Sequence, residues 1–282
     1  MTNSVGFIKD IYLSSFQSRA VEMLAILKDF LDEHDLLYML NGGTLIGAIR
    51  HRGMIPWDDD IDLSMLRADY NKLISLKDSL PYPLQLAYWG NDPQHVYPFI
   101  RIYDITTSVS FDFVKPITRG VWIDIFPVDG TFTNHLPRYY HIKLLAFLRM
   151  LLTNLMGAYA RKPLPRRLKC KYFLFGILSR LLGKKFLIWA QHRLATLKNP
   201  LHAEISAIVV SMAGEKSSQP TGHYIKRIEV EFAGLCCFAP AAYDGILKKM
   251  YGDYMIPPTH NQRGPTHQLM HVDLHKSYLS NL

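Results

Sequence analysis

Asn41 to Met65 reads NGGTLIGAIRHRGMIPWDDDIDLSM, and the fold and the chemistry of the chain are both read outward from it. Asp60 and Asp62 sit two apart with Ile61 between them and Leu63 after them. That is strand alternation, so both carboxylates leave one face of one strand. Carboxylates converging on a rigid strand repel each other unless a cation sits between them. Upstream, Gly42, Gly43 and Thr44 separate an apolar run from a helical one, Leu45 to Arg50. A glycine turn that opens a helix presents backbone N–H groups to an anion. A metal site beside an anion cradle points to chemistry on a phosphate.

A third carboxylate, Asp124, lies inside the apolar strand Trp122 to Phe126, which Gly120 precedes and Pro127 and Gly130 close. Asp60, Asp62 and Asp124 are therefore the expected metal ligands and catalytic residues. Oxygen ligands suit a hard divalent ion, Mg²⁺ or alternatively Mn²⁺, which keeps positions open for water and phosphate. Asp124 is also a candidate base for an acceptor hydroxyl. Asp58 and Asp59 extend the acidic run as a loop rim. Arg50, His51 and Arg52 are placed to balance these charges, and Arg50 is a candidate phosphate ligand. Trp57, Tyr97, Tyr103, Trp122 and Phe126 read mainly as core. One or two of them, Trp57 and Trp122 first, are candidates for a pocket around a cationic headgroup.

Around this stretch the chain reads as an α+β protein. A helix capped by Ser14 or Ser15 runs to about His34, followed by a strand at Leu36 to Leu40. A helix at Arg67 to Leu80 and strands at Leu84 to Tyr88, Pro98 to Asp104 and Ser108 to Phe113 come next. Further strands are expected at Glu204 to Met212 and Ile225 to Cys237, and a helix runs from Pro240 to Tyr251. The tail beyond Asp253 shows no periodicity, and its histidines, His260, His267, His271 and His275, read as surface residues.

The net charge of +8 is concentrated in one place. Arg138 to Lys198 holds 14 Lys and Arg and no Asp or Glu, leaving 18 of the 32 basic residues against all 24 acidic ones elsewhere. Its basic residues interleave with Leu, Phe and Ile in helical runs broken at Pro163 and Pro165. That favours an anionic membrane surface over nucleic acid. Lys143, Arg149, Arg180, Lys184 and Lys185 interrupt the apolar runs, so a membrane span is not expected. The three cysteines, Cys170, Cys236 and Cys237, imply no disulfide framework, and no signal peptide is evident, which fits a cytoplasmic protein. Zinc-protease, Walker A, Rossmann and serine-hydrolase motifs are all missing.

GGTLIGAIRHRGMIPWDDDIDLSM (42–65), WIDIFPVDG (122–130) and PAAYDGILKKMYGDYMIPP (240–258) resemble three blocks of the LicD family of phosphotransferases. The resemblance implies a nucleotidyltransferase core related to the polymerase-β fold, with a mixed sheet and the basic helices as an insertion. The expected division is a catalytic core at 1–134, the insertion at 135–200, and a segment at 201–282 that completes the core. It also implies Mg²⁺-dependent transfer of a substituted phosphate, phosphocholine or a similar group, from a CDP-activated donor such as CDP-choline. The acceptor would be a hydroxyl of a surface glycan such as lipopolysaccharide, capsule or teichoic acid. The resemblance places the metal ligands on Asp60, Asp62 and Asp124, and the glycine turn on Gly42 and Gly43. A location at the inner face of the cytoplasmic membrane follows. Transfer of ribitol or glycerol phosphate, transfer of a nucleoside monophosphate, and a non-catalytic binding protein are the rival expectations. The 17-residue step from Gly43 to Asp60 is longer than in ordinary nucleotidyltransferases and agrees with the LicD pattern.

Overall fold

The computed structural model describes residues 3–159, 166–265, 267 and 269–281. The chain begins with α1 (Asn3–Glu33), β1 (Met39–Leu40), α2 (Gly42–His51), β2 (Ile61–Leu66) and α3 (Arg67–Ser75). Then come β3 (Leu84–Ala87), β4 (Ile100–Asp104), β5 (Ser108–Phe111), β6 (Ile117–Arg119) and β7 (Trp122–Thr131). Helices α4 (His135–Met156), α5 (Arg166–Leu182) and α6 (Lys184–Ala195) follow. The last part holds β8 (Ile205–Ala207), β9 (Gln219–Pro220), β10 (Arg227–Phe232), β11 (Leu235–Pro240), α7 (Tyr243–Tyr251) and β12 (Leu269–Asp273).

The central sheet runs β1-β2-β7-β4-β3, with β8 and β9 attached through the far end of β7. β2 and β7 are parallel and the other pairs antiparallel, so this α+β protein has a mixed sheet. One face of the centre is apolar throughout: Ile61 and Leu63, Ile123 and Ile125, Ile100 and Ile102 are all fully buried. Met23, Leu24, Leu27 and Leu31 of α1 complete that core, the helical period meeting the strand period. C-terminal residues Phe232, Cys237, Ala239, Leu247, Tyr254 and Tyr278 belong to the same cluster. The basic helices form two further clusters, one with the end of β7 and 207–210, the other among α4, α6 and their neighbours.

Several local expectations change. α1 starts at Asn3, so Ser14 and Ser15 lie within it and cap nothing. The strand expected over 36–40 pairs only at Met39 and Leu40, and α3 ends at Ser75 before a 3-10 turn at Lys77–Ser79. Of the strand expected over 204–212, only Ile205–Ala207 pairs, and Ile208 to Val210 bury as a non-strand plug against α4. The tail gains β12, which pairs with β5. An edge strand needs only a partner with free backbone groups, a requirement that leaves no periodic trace in five residues. The Pro163 and Pro165 break lies outside the described residues.

His95, in the long β3–β4 connection, is 2% exposed and its Nε2 lies 2.8 Å from Phe99 O. Burial pushes its pKa down to about 4, Arg101 and Arg119 adding to that push against the Phe99 hydrogen bond. Unfolded, the ring titrates near ~6.5. Between those values the unfolded chain binds the extra proton, so stability is lost as pH falls through that window, by up to about 3 kcal/mol. His95→Gln removes this part of the acid sensitivity. Urea midpoints at neutral pH and near pH ~4.5 are expected to move less in the variant than in the wild type; equal movement would contradict the assignment.

Candidate active site

Three neighbouring strands carry one row of side chains across the sheet. Asp62 of β2 stands opposite Asp124 of β7, and Asp124 stands opposite Arg101 of β4. Directly paired residues share a face, so two carboxylates and a guanidinium project side by side. Asp60 precedes β2 by one residue, and its carboxylate joins the row. One oxygen from each of Asp60, Asp62 and Asp124 lies within 4.8 Å of the others. The three expected ligands thus meet, and their hard oxygen set fits a divalent ion such as Mg²⁺.

The electrostatics of the cluster are costly without a cation. Burial first, then the charges of its neighbours, pushes Asp60 and Asp62 well above the ordinary carboxylate range. Asp62 and Asp58 lead the charges acting on Asp60, and Asp124 and Asp58 those on Asp62. Asp58 is shifted upward as well, by burial and then Asp59. Asp124 is pushed upward by burial and held back by Arg101. Arg101 donates from Nε to Oδ1 at 2.5 Å and from Nη2 to Oδ2 at 2.9 Å. Tyr97 covers the guanidinium, with Cζ 3.7 Å from the ring centroid, and Trp122 lies 4.8 Å from it. Each Asp124 oxygen keeps a second lone pair for a metal after these bonds.

The glycine turn is placed at the same point. α2 begins at Gly42, and the strand and helix are sewn together by Asn41 N–H to Asp62 O (2.9 Å) and Asp62 N–H to Thr44 Oγ1 (2.8 Å). Gly42 has φ +56°, and a Cβ there would lie 2.7 Å from Asp62 Oδ2 and 3.6 Å from the Tyr251 hydroxyl. A Cβ on Gly43 would collide with Asp58 Oδ2. Both glycines are therefore needed for close approach as well as conformation. The helix N-terminus expected to cradle a phosphate faces the Asp62 and Asp58 carboxylates, a favourable charge–dipole arrangement. Gln17 of α1 holds the loop that bears Asp58 by donating to Ile55 O (3.0 Å) and Asp58 O (2.7 Å).

Other expected residues stand elsewhere. Arg50 is at the opposite end of α2 from Gly42, roughly 12 Å along the axis. It donates to Tyr254 O at 2.5 Å, 6.0 Å from the Trp57 ring centroid, while Arg263 lies 4.7 Å from the same centroid. Burial and then the Arg263 charge lower the Arg50 pKa, and neither arginine has a carboxylate partner among the described residues. Trp57 is thus flanked by cations. Trp122 is 0% exposed and packs against Phe16, Phe111 and His267, so it underlies the cluster rather than lining an open pocket.

Four residues near the site were not expected there. Arg101 carried a signal in retrospect, a lone cation inside an apolar strand. His267, expected on the surface, is held in the acidic cluster: its ring Nδ1 lies 3.1 Å from Asp59 Oδ1, its backbone N–H donates to Asp59 Oδ2 at 3.1 Å, and Asp60 Oδ2 is 3.8 Å from Nδ1. Asp59, Asp60 and His267 form a second possible ligand group sharing Asp60 with the first. Tyr251 of α7 and Arg263 arrive from the C-terminal segment, and burial, then Asp62, pushes the Tyr251 phenol upward.

The chain matches the LicD/FKTN/FKRP nucleotidyltransferase domain over residues 35–143, a span that contains every carboxylate of the cluster. It is 27% identical over 267 residues to the lipopolysaccharide cholinephosphotransferase LicD of Haemophilus influenzae, covering 91% of this chain and 96% of that one. An uncharacterized protein of Rickettsia prowazekii is 37% identical over 97 residues, 33% of each chain, and one of Caenorhabditis elegans is 43% identical over 56 residues, 20% of this chain and 15% of that one. The similarity to the cholinephosphotransferase thus extends well beyond the matched LicD/FKTN/FKRP domain, over nearly the whole of both chains.

Proposed function

We propose that this protein transfers phosphocholine from a CDP-linked donor to a hydroxyl of lipopolysaccharide, on a nucleotidyltransferase-type core. The observation that carries the reading is the row Asp62–Asp124–Arg101, with Asp60 beside it and the start of α2 against Asp62. The similarity to a lipopolysaccharide cholinephosphotransferase along nearly the whole of both chains supports the choice of group and acceptor. Asp60, Asp62 and Asp124 would hold a divalent cation, which would neutralise donor phosphate charge. Gly42, Gly43 and Thr44 lie where backbone N–H groups can take phosphate oxygens. The acceptor oxygen bonds to the phosphorus that carries choline, the bond to the CMP oxygen breaks, and CMP leaves. Asp124 is the acceptor for the hydroxyl proton, and its two bonds from Arg101 favour the ionised form that accepts. Arg50 and Arg263 beside Trp57 offer a cationic wall for the nucleotide end of the donor.

Donor labelled separately in the cytidine and in the choline tests this. The choline label is expected on the glycan and the cytidine label in free CMP. Cytidine label on the glycan would establish nucleotidyl transfer instead. CDP-ribitol and CDP-glycerol in the same assay separate the alditol-phosphate alternatives.

The basic helices carry the second half of the proposal, a seat on an anionic membrane at the cytoplasmic face. No helix among the described residues is long and apolar enough to cross a membrane. Yet Phe173, Leu174, Ile177, Leu178 and Leu181 of α5, with Phe186 and Trp189 of α6, are exposed beside Arg180 and Lys185. An exposed apolar face rimmed by cations suits the headgroup region of a bilayer. Leu181→Glu with Trp189→Glu is expected to cut co-sedimentation with anionic vesicles by about tenfold or more, and salt to weaken wild-type binding. Unchanged sedimentation in the double variant would remove this surface from the proposal.

A further inference from the structure

Tyr251 is the last residue of α7, and Gly252 turns the chain after it with φ +74°. Ile246 and Leu247 of the same helix are buried, and Leu247 belongs to the core cluster built around α1. Beyond the turn, Tyr254 is buried. Its hydroxyl donates to Asp244 Oδ1 at 3.0 Å, and its carbonyl accepts from Arg50 at 2.5 Å. The end of α7 is thus tied to its own first turn and to the last turn of α2. Tyr251 is carried on a fixed element, which is what a precise contact requires.

The Tyr251 ring is 48% exposed, while its hydroxyl end is turned inward. The position that a Cβ of Gly42 would occupy lies 3.6 Å from that hydroxyl and 2.7 Å from Asp62 Oδ2. The hydroxyl therefore stands across the first residue of α2 from a carboxylate of the row, and Asp62, Asp58 and Asp60 are the charges that act on it. It hydrogen-bonds to none of the described residues. A phenol at its ordinary pKa near ~10 is protonated at neutral pH, and neighbouring carboxylates only strengthen that. Tyr251 is accordingly an O–H donor at this place and not a base. Arg101, the cation of the row, is committed to Asp124 through two bonds. That leaves the first N–H groups of α2 and this O–H as donors around one point, the arrangement that receives an anion.

We propose that the Tyr251 hydroxyl is a direct ligand of the donor diphosphate, donating to a non-bridging oxygen beside the N-terminus of α2. The choice of a diphosphate rests on the function proposed above. Negative charge grows on the CMP oxygen as its bond to the choline-bearing phosphorus breaks. A donor fixed at the diphosphate before the reaction serves the rate as well as binding. The C-terminal segment thereby contributes a catalytic residue, alongside the carboxylates of β2 and β7.

Tyr251→Phe keeps the ring and removes only the hydroxyl. CDP with Mg²⁺, inorganic pyrophosphate with Mg²⁺, and Mn²⁺ alone are titrated calorimetrically into the full-length wild type and variant. Both diphosphates are expected to bind the variant about tenfold more weakly, the effect of one lost hydrogen bond to a charged group. Mn²⁺ affinity and the melting temperature of the metal-free protein are expected to stay the same, because the hydroxyl bonds to no protein group. The kcat for phosphocholine transfer is expected to fall by about a hundredfold. Equal diphosphate affinity in the two proteins would overturn the proposal. A matching loss of Mn²⁺ affinity would overturn it in favour of a hydroxyl that holds water on the metal. A lower melting temperature with diphosphate affinity intact would reduce Tyr251 to packing. The functional reading is tested separately by assaying transfer on the same preparations. Tighter diphosphate binding by the wild type without any transfer sinks that reading and leaves the contact; transfer at equal rates and with equal diphosphate affinity does the reverse. A wild type that binds neither diphosphate overturns both.

Discussion

Asp60→Asn is expected to lower phosphocholine transfer by about a thousandfold or more while raising the melting temperature of the metal-free protein. The first effect follows from removing one of three converging anionic ligands, at a site where developing charge is met by fixed groups. The second follows from the cost of assembling those ligands. Burial and the neighbouring charges of Asp62 and Asp58 hold the Asp60 carboxylate well above its ordinary range. From the ordinary carboxylate range upward, the metal-free native state therefore binds more protons than the unfolded chain. Stability due to this group falls as pH rises through that interval, and Asn, which does not ionise, abolishes the loss. The stability gap between variant and wild type should widen with pH and shrink on addition of Mg²⁺, which favours the wild type by binding its native state. Calorimetric melting at several pH values, with and without the ion, measures both. A variant that transfers at the wild-type rate would remove the metal assignment; one that melts lower at every pH would show that Asp60 is a structural ligand of some other group.

Arg101→Met carries the largest expected stability effect. Arg101 and Asp124 have side chains only 1% and 4% exposed and share two hydrogen bonds. Removing the guanidinium leaves a buried carboxylate with Asp60 and Asp62 for company, a loss of about 3–5 kcal/mol. Asp124→Asn in the same chain removes the stranded charge and is expected to return most of that stability, since an apolar or neutral replacement of a whole buried pair is often nearly neutral. Activity should return in neither protein. Urea denaturation of both single variants and the double variant gives the coupling directly. Additive single losses would mean that Asp124 is already neutral in the native state and that Arg101 serves packing alone. The aromatic faces of Tyr97 and Trp122 against Arg101 argue for a fixed geometry, because a guanidinium held between rings and a carboxylate loses its freedom to follow a substrate.

The legible part of the site was the local part. Asp60 and Asp62 around Ile61 announced a strand and a shared face, and the glycines before Leu45 announced a helix start. These depend on a two-residue period and on backbone conformations that only neighbours in sequence set. Asp124 was found because a carboxylate inside an apolar strand needs a reason. Arg50 and Trp57 are near the glycines and carboxylates in sequence, but a helix of ten residues sets Arg50 at the opposite end of α2 from Gly42, beside Trp57 and Arg263.

By itself, then, the chain determined its strands and helices near 40–66 and 122–131, the convergence of three carboxylates, and a basic apolar segment. Periodicity, side-chain charge and chain-local sterics suffice for these. Only the tertiary structure decided which cation each carboxylate meets. β4 reaches Asp124 because strand order places it beside β7, and His267 reaches Asp59 from a tail with no periodic signal. Pairings across such separations are set by loop closure and by the requirement that buried polar groups find partners, and both are properties of the packed whole.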